Sequence, residues 1–114
     1  MKAEALKGHL DALILAVLEA GPLHGYAVME ALRTRTGGKV DLPTGTLYPA
    51  LHRLEEAGLI DGSWSTVAGR RRRGYRLTEA GSRALADKRT DWREFAGVVG
   101  AVLEGLTWPS PNPA

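Results

Sequence analysis

The side chains with the most distinctive chemistry are five arginines within seven residues: Arg70, Arg71, Arg72, Arg73 and Arg76. Guanidinium groups bind phosphates through paired hydrogen bonds and enter narrow minor grooves of DNA. Charge runs are usually solvated surfaces, but this one sits at the tip of a predicted hairpin, next to a helix whose leading end carries no acid. We therefore expect Arg70 to Arg73 to contact DNA, although Arg73 and Arg76 fall in the following strand and could face elsewhere.

A second polar group lies upstream, in PTGTLYPALHRLEEAGLI (residues 43–60). Apolar residues recur there at helical spacing, which predicts a one-sided helix: Leu47, Ala50, Leu51, Leu54 and Ala57. The other face is small, polar or aromatic near its start and acidic only near its end, as suits a helix that approaches phosphates by its tip. The predicted DNA contacts on it are Thr44, Gly45, Thr46, Tyr48, Pro49, His52 and Arg53.

Two of these side chains have other possible roles. Tyr48 could bond a phosphate or a base edge, or it could pack against the neighbouring hairpin. Arg53 could instead form a surface ion pair with Glu56 or Glu30, which would contribute little to stability.

Proline at position 49 predicts where this helix starts. Because proline has no N–H and the first helical turn needs none, the helix should begin between Thr44 and Thr46, with a threonine hydroxyl as N-cap. Gly45 and Thr46 would then let backbone N–H groups approach a phosphate.

Composition and residue spacing argue against catalysis and metal binding. The chain has no cysteine, its three histidines show no metal-ligand spacing, and no nucleophile triad, carboxylate pair or phosphate loop is present. We therefore predict a protein that is not an enzyme and has no cofactor. The 114 residues suit one ordinary domain, with 44% hydrophobic and 25% charged residues and a net charge of +2.

The N-terminal apolar run is too short to cross a membrane and is interrupted by Asp11 and Glu19. We interpret it as a core helix, and expect a cytoplasmic protein with no membrane partner, which the absence of cysteine also fits.

The pattern along the chain predicts a mainly α (α+β) winged helix-turn-helix. Helices are expected at residues 9–20 and 26–36, before the helix described above. Strands at 59–65 and 73–77, joined by a loop at 66–72, would form a hairpin. Three short helices followed by a hairpin make a winged helix, with the hairpin as the wing.

A long final helix should follow, capped by Thr78 and running to about Gly105. Its apolar residues follow a heptad spacing typical of a helix–helix seam: Leu85, Trp92, Phe95, Val99, Val102 and Leu106. Packing on its own domain would need only a turn or two, so we favour a homodimer arm. The predicted division is residues 1–77 for DNA binding, 78–106 for dimerisation and 107–114 as a disordered tail.

The two motifs GTLYPALHRLEEAGLI and GRRRRGYRLTEAG, with LDALILAVLEAGPLHGYAVMEAL before them, resemble the PadR family of bacterial transcriptional regulators. The resemblance covers about residues 6–85. It implies a winged helix-turn-helix that dimerises through its C-terminal helix and represses transcription from inverted-repeat operators. The single long final helix resembles the shorter PadR subgroup, in some members of which an apolar, tryptophan-lined ligand site lies between subunits.

Trp92 stands at the matching place in the long helix. Tryptophan is large for a regular two-helix seam, so with Phe95 and Val99 it could line a pocket for a small flat aromatic effector. The simpler interpretation is that it only fills the dimer seam. The alternative function from another class is a winged-helix module that binds a partner protein and has no sequence-specific DNA binding.

Overall fold

The computed structural model describes residues 3–105. After a short 3-10 helix (Ala3–Leu6) the elements are α1 (Leu10–Leu18), β1 (Leu23–His24), α2 (Gly25–Arg35), α3 (Thr44–Glu56), β2 (Ile60–Val67), β3 (Arg70–Leu77) and α4 (Glu79–Leu103). This is a mainly α winged helix-turn-helix with a small three-stranded antiparallel sheet, which confirms the predicted fold class. No helix of residues 3–105 is long and apolar enough to cross a membrane.

The core is built from apolar faces of all four helices and the sheet. Its largest fully buried side chains are Ile14, Leu15, Leu18, Val28, Leu47, Leu51, Ile60 and Leu85. On α3, the predicted stripe is buried at Leu47, Ala50, Leu51 and Leu54. Ala57 is an exception, because it is the exposed C-cap of the helix.

Helix α3 begins at Thr44, within the predicted window, but the predicted threonine N-cap is wrong. The N-cap is Pro43, which makes no side-chain cap, and its carbonyl accepts hydrogen bonds from the N–H groups of Thr46 and Leu47 at 3.0 and 3.1 Å. Proline can take this position because its fixed φ suits the extended N-cap backbone. Pro49 consequently lies inside the helix, where it cannot donate to the Gly45 carbonyl.

The wing is longer than predicted, and the expected loop at residues 66–72 is wrong. Strand pairing continues to Val67 and Arg70, so that only Ala68 and Gly69 form the turn. Both turn residues are left-handed, with φ values of 51° and 77°, and this backbone matches the twist of a two-residue hairpin. Arg70, Arg71 and Arg72 therefore belong to β3.

The segment between the first two helices, where no strand was predicted, contains the third strand of the sheet. Leu23 and His24 pair with Tyr75 and Gly74, which makes β3 the central strand of the order β1-β3-β2. Two residues are too few to show the alternation by which strands are predicted, so no periodic pattern marks this strand in advance.

Helix α4 begins as predicted, because the Thr78 hydroxyl accepts a hydrogen bond from the N–H of Gly81 at 3.0 Å. Gly81 lies so close to the preceding chain that a Cβ there would be 1.9 Å from the Leu59 carbonyl oxygen. Beyond Leu85 the helix leaves the core, and the molecule measures 64 × 29 × 20 Å. Leu106 and the predicted tail at 107–114 lie outside the described residues.

Candidate nucleic-acid interface

Three wing arginines are exposed and available to a polyanion. Within the described part of the chain, no carboxylate lies within ion-pair distance of Arg70, Arg71 or Arg72. The Arg71 guanidinium lies 4.7 Å from the centre of the Trp64 ring, which is itself 57% exposed. These side chains can therefore meet phosphates without first giving up an ion pair.

Arg73, also a predicted DNA contact, has different surroundings. Its guanidinium donates a hydrogen bond to Glu55 on α3, and both side chains are only 28% exposed. Arg76, further along β3, pairs with Asp61 across the hairpin at 3.0 Å. From sequence, both arginines were noted as able to face elsewhere than the wing tip, and in the structure each is paired with a carboxylate.

The predicted contacts on α3 divide between two sides of the helix. Thr44, Gly45 and Pro49 are exposed at its beginning. Tyr48 is 45% exposed and packs against the start of α2, where a Cβ on Gly25 would be 2.8 Å from its Cε1 atom. Tyr48 thus packs on α2 as well as facing the wing.

Thr46 and Arg53 lie elsewhere, lining an open groove of about 430 Å³ beside α1 and Lys88. Arg53 donates a hydrogen bond to Asp11 at 3.2 Å, a partner different from the two considered from sequence. His52 lies near Glu56, with 3.2 Å between Nε2 and Oε1. The structure therefore does not bring Arg53 or Thr46 together with the wing arginines.

A second open groove joins the wing to the helices. It has a volume of about 410 Å³ and is lined by His24, Gly25, Tyr26, Tyr48, Trp64 and Arg70 to Arg73. Tyr26 and His24 were missed as candidates, although they lie within four residues of Gly21-Pro22, a dipeptide that often precedes the start of a helix. The groove is lined by cationic and aromatic side chains. Cationic side chains bind nucleic acid backbones, and aromatic side chains stack on bases.

Burial raises the pKa of the Tyr75 hydroxyl behind this groove, and the neighbouring positive charge of Arg73 partly offsets the effect. Tyr75 is a core residue, 6% exposed, and stays a neutral hydrogen-bonding group at ordinary pH.

The predicted effector residues lie on α4. Trp92 and Phe95 are 54% and 53% exposed, with ring centres 6.0 Å apart. His9, which was not predicted, completes the cluster with its ring centre 5.6 Å from Trp92 and 6.1 Å from Phe95. Val99 is half-buried, while Val98, Val102 and Leu103 add further exposed apolar surface along the helix.

An ion pair fixes α4 against α1. Arg89 binds both carboxylate oxygens of Glu19, with distances of 2.9 and 2.8 Å. These hydrogen bonds lower the pKa of Glu19 and raise that of Arg89. No group of His, Asp and Glu side chains in residues 3–105 has the arrangement of a metal site.

Comparison with known proteins adds relatives of similar size. The model of the transcriptional regulator PadR-like family matches residues 14–87. The chain is 45% identical over 74 residues to the transcriptional regulator Rv3488 of Mycobacterium tuberculosis, covering 65% of this chain and 66% of that protein. An uncharacterized protein of Lysinibacillus sphaericus is 28% identical over 107 residues, or 93% of this chain and 98% of the relative.

Solved structures are similar over nearly the whole described fold. A transcriptional regulator from Clostridium thermocellum superposes with a TM-score of 0.83 at 28% identity, covering 89% of this chain and 99% of that one. A PadR family regulator from Eggerthella lenta gives a TM-score of 0.79 at 33% identity, with 89% and 87% covered.

Proposed function

Because the chain belongs to the PadR-like family of transcriptional regulators, we propose that it is a repressor that binds inverted-repeat operator DNA as a homodimer. The observation that carries this proposal is the shared groove of the wing arginines and Tyr48. It gives one surface both the cations that hold a DNA backbone and a helix side chain that can approach bases.

Phosphate binding is assigned to the wing. Arg70, Arg71 and Arg72 are exposed and have no carboxylate partner among the described residues, so each can replace a counterion on the duplex. The beginning of α2 opens into the same groove, and its N-cap His24 makes no side-chain cap. Free N–H groups at the start of a helix attract phosphate, so the start of α2 could bind the same DNA backbone as the wing arginines.

Sequence recognition is assigned to the leading half of α3. Its exposed residues Thr44, Gly45, Tyr48 and Pro49 include no acid, so a major groove can receive them without repulsion. Thr46, His52 and Arg53 are further candidates for DNA contact on the same helix. Arg53 would exchange its Asp11 partner for a phosphate, a small cost because the pair is open to solvent, with side chains 59% and 37% exposed.

Dimerisation is assigned to α4. Its exposed apolar residues beyond the core, Trp92, Phe95, Val98, Val102 and Leu103, are hard to explain on a lone subunit. A twofold pairing of this helix would cover them and present two copies of α3 about one turn of DNA apart. The proposed division is thus residues 1–77 for DNA binding and 78–106 for dimerisation, in a cytoplasmic protein with no enzymatic role.

A small aromatic effector is a further part of the proposal. The rings of Trp92, Phe95 and His9 form an exposed cluster beside Val99, which a flat aromatic molecule could stack against at the subunit junction. Such a molecule would change DNA affinity only if it binds the free and DNA-bound arrangements unequally.

Selection of bound duplexes from a randomised library, followed by gel-shift titration, tests the proposal. We expect enriched inverted repeats with half-sites about one helical turn apart. If the protein remained dimeric yet retained no duplex at low salt, the repressor proposal would fail and the protein-interaction module would take its place.

A further inference from the structure

We propose that Arg73 and Glu55 are positioning residues that hold the wing at a fixed angle to α3, and that Arg73 makes no phosphate contact. The effect on DNA rests on the proposed function, whereas the effect on the wing itself does not. From sequence, Arg73 was predicted to contact DNA like Arg70, Arg71 and Arg72. The proposed role of Arg73 therefore differs from that of these three neighbours.

The ion pair crosses between two elements that must act together. Glu55 lies in the last turn of α3 and Arg73 lies in the middle of β3. Both side chains are 28% exposed, less than either member of the Arg53–Asp11 pair or of the Arg89–Glu19 pair. A hydrogen-bonded charge pair this sheltered has a defined geometry, unlike most surface pairs.

The space around the Arg73 guanidinium is also shaped to hold it. Gly62 faces it from β2, and a Cβ there would lie 2.7 Å from the Arg73 Nη2 atom and 2.8 Å from Nε. The rings of Trp64 and Tyr75 flank the group, with centres 5.4 and 5.9 Å from its central carbon. The Arg73 guanidinium is thus enclosed by Gly62, by two aromatic rings and by the Glu55 carboxylate. It has little freedom to turn towards a duplex.

The wing needs such support because its outer part is only two strands. From Ser63 to Arg72 both strands of the hairpin are exposed. An isolated two-stranded hairpin is marginally stable in water. The Arg73–Glu55 pair lies where the hairpin leaves the domain, so it is well placed to set the direction in which Arg70, Arg71 and Arg72 point.

Replacing Glu55 tests the proposal, because the two hypotheses predict opposite changes in DNA affinity. If the pair has no positioning role, removing an acid near the DNA surface should raise affinity, because one repulsion of phosphate is lost. If Glu55 orients the wing, its removal should lower affinity even though the protein becomes more positive. Glu55→Gln keeps the size of the side chain and removes its charge.

The first experiment measures affinity for the selected operator over a range of salt concentrations. We expect Glu55→Gln and Arg73→Gln each to weaken binding by roughly fivefold, and the double variant to lose about as much as the weaker-binding single variant. Arg73→Gln should keep the wild-type salt slope, whereas Arg72→Gln should lower it by about one.

The exposed pair of Arg76 and Asp61 supplies the matched control, because it lies on the same hairpin and does not reach α3. Asp61→Asn should bind as tightly as wild type or slightly tighter. Tighter binding by Glu55→Gln, or a lower salt slope for Arg73→Gln, would overturn the positioning role.

The second experiment needs no DNA. ¹⁵N relaxation of the free protein should show larger fast motions at wing amides from Thr66 to Arg72 in Glu55→Gln than in wild type or Asp61→Asn. Unchanged wing amides would overturn the inference, whether or not the protein binds DNA. Failure of wild type to bind any duplex would count against the proposed function alone.

Discussion

Arg89 in α4 and Glu19 at the end of α1 are 70 residues apart in the chain and share two hydrogen bonds. Glu19 is the C-cap of α1, so the pair joins the end of one core helix to the part of α4 that leaves the core. Both side chains are about half exposed, at 48% and 43%. The pair therefore orients the long helix more than it stabilises the fold.

Loss of this pair should change the pH dependence of stability. The hydrogen bonds from Arg89 hold the folded pKa of Glu19 below its ordinary value of 4.5. The carboxylate therefore stabilises the fold above about pH 5 and loses this contribution as pH falls through its folded pKa.

We expect Glu19→Gln to be slightly less stable than wild type in urea unfolding at pH 7, with the difference shrinking at pH 3.5. Arg83→Gln, which removes a more exposed pair with Glu79, is the control and should stay close to wild type at both values. A Glu19→Gln difference that grew on acidification would contradict the assignment.

The wing arginines should act on all DNA sequences alike. Replacing Arg71 and Arg72 together by glutamine should lower the salt slope of binding by about two and weaken operator and random duplexes by the same factor. Gel shifts at several salt concentrations measure both quantities. A variant that lost affinity for the operator alone would assign these side chains to base recognition.

Because Gly25 and Tyr48 are in contact, the effects of substitutions at these two positions on stability should depend on each other. A methyl group at 25 would lie 2.8 Å from Tyr48 Cε1, so Gly25→Ala should displace the tyrosine and cost about 1–3 kcal/mol of stability. In a Tyr48→Ala background the same change should cost almost nothing. Thermal unfolding of the four proteins gives the coupling, and simple additivity would show that the contact carries no strain.

The start of α4 should tolerate no side chain at position 81. A Cβ there meets the Leu59 carbonyl oxygen at 1.9 Å, and backbone cannot move aside as a side-chain end can. Gly81→Ala should therefore cost about 3 kcal/mol or more in urea unfolding.

Gly45→Ala is the control for Gly81→Ala, because it too is in a helix but its Cβ would meet nothing within 4 Å. It should raise stability by roughly 0.5–1 kcal/mol. Equal effects of the two substitutions would mean that the close approach at Leu59 is not rigid.

The exposed apolar surface of α4 should decide oligomeric state. Val102→Glu places a charge where the side chain is 80% exposed on the lone subunit, and we expect it to weaken the dimer at least tenfold. Sedimentation at several concentrations measures the change. Thr90→Glu, nearly opposite Trp92 around the helix, should leave association unaltered, and equal dissociation by both variants would place the interface elsewhere.

The parts of the fold that could be predicted are those marked by a short-range residue pattern. The stripe on α3 and the Thr78 cap follow from spacing and residue type within one turn or two. The wing turn was missed because Ala68, with φ of 51°, is not a residue that usually marks such a turn. The partners of Arg53 and Arg73, at separations of 42 and 18 residues, depend on how the elements pack, and no local rule gives them.

The length of α4 has a geometric consequence for any signal that reaches this molecule. Its 25 residues span about 37 Å, so a tilt of about 5° at the base would shift the far end by about 3 Å. In the proposed symmetric dimer the two shifts would add, so the separation of the two α3 helices would change by several ångströms. A change too small to disturb the packing of either subunit could therefore be enough to weaken the proposed binding to two half-sites.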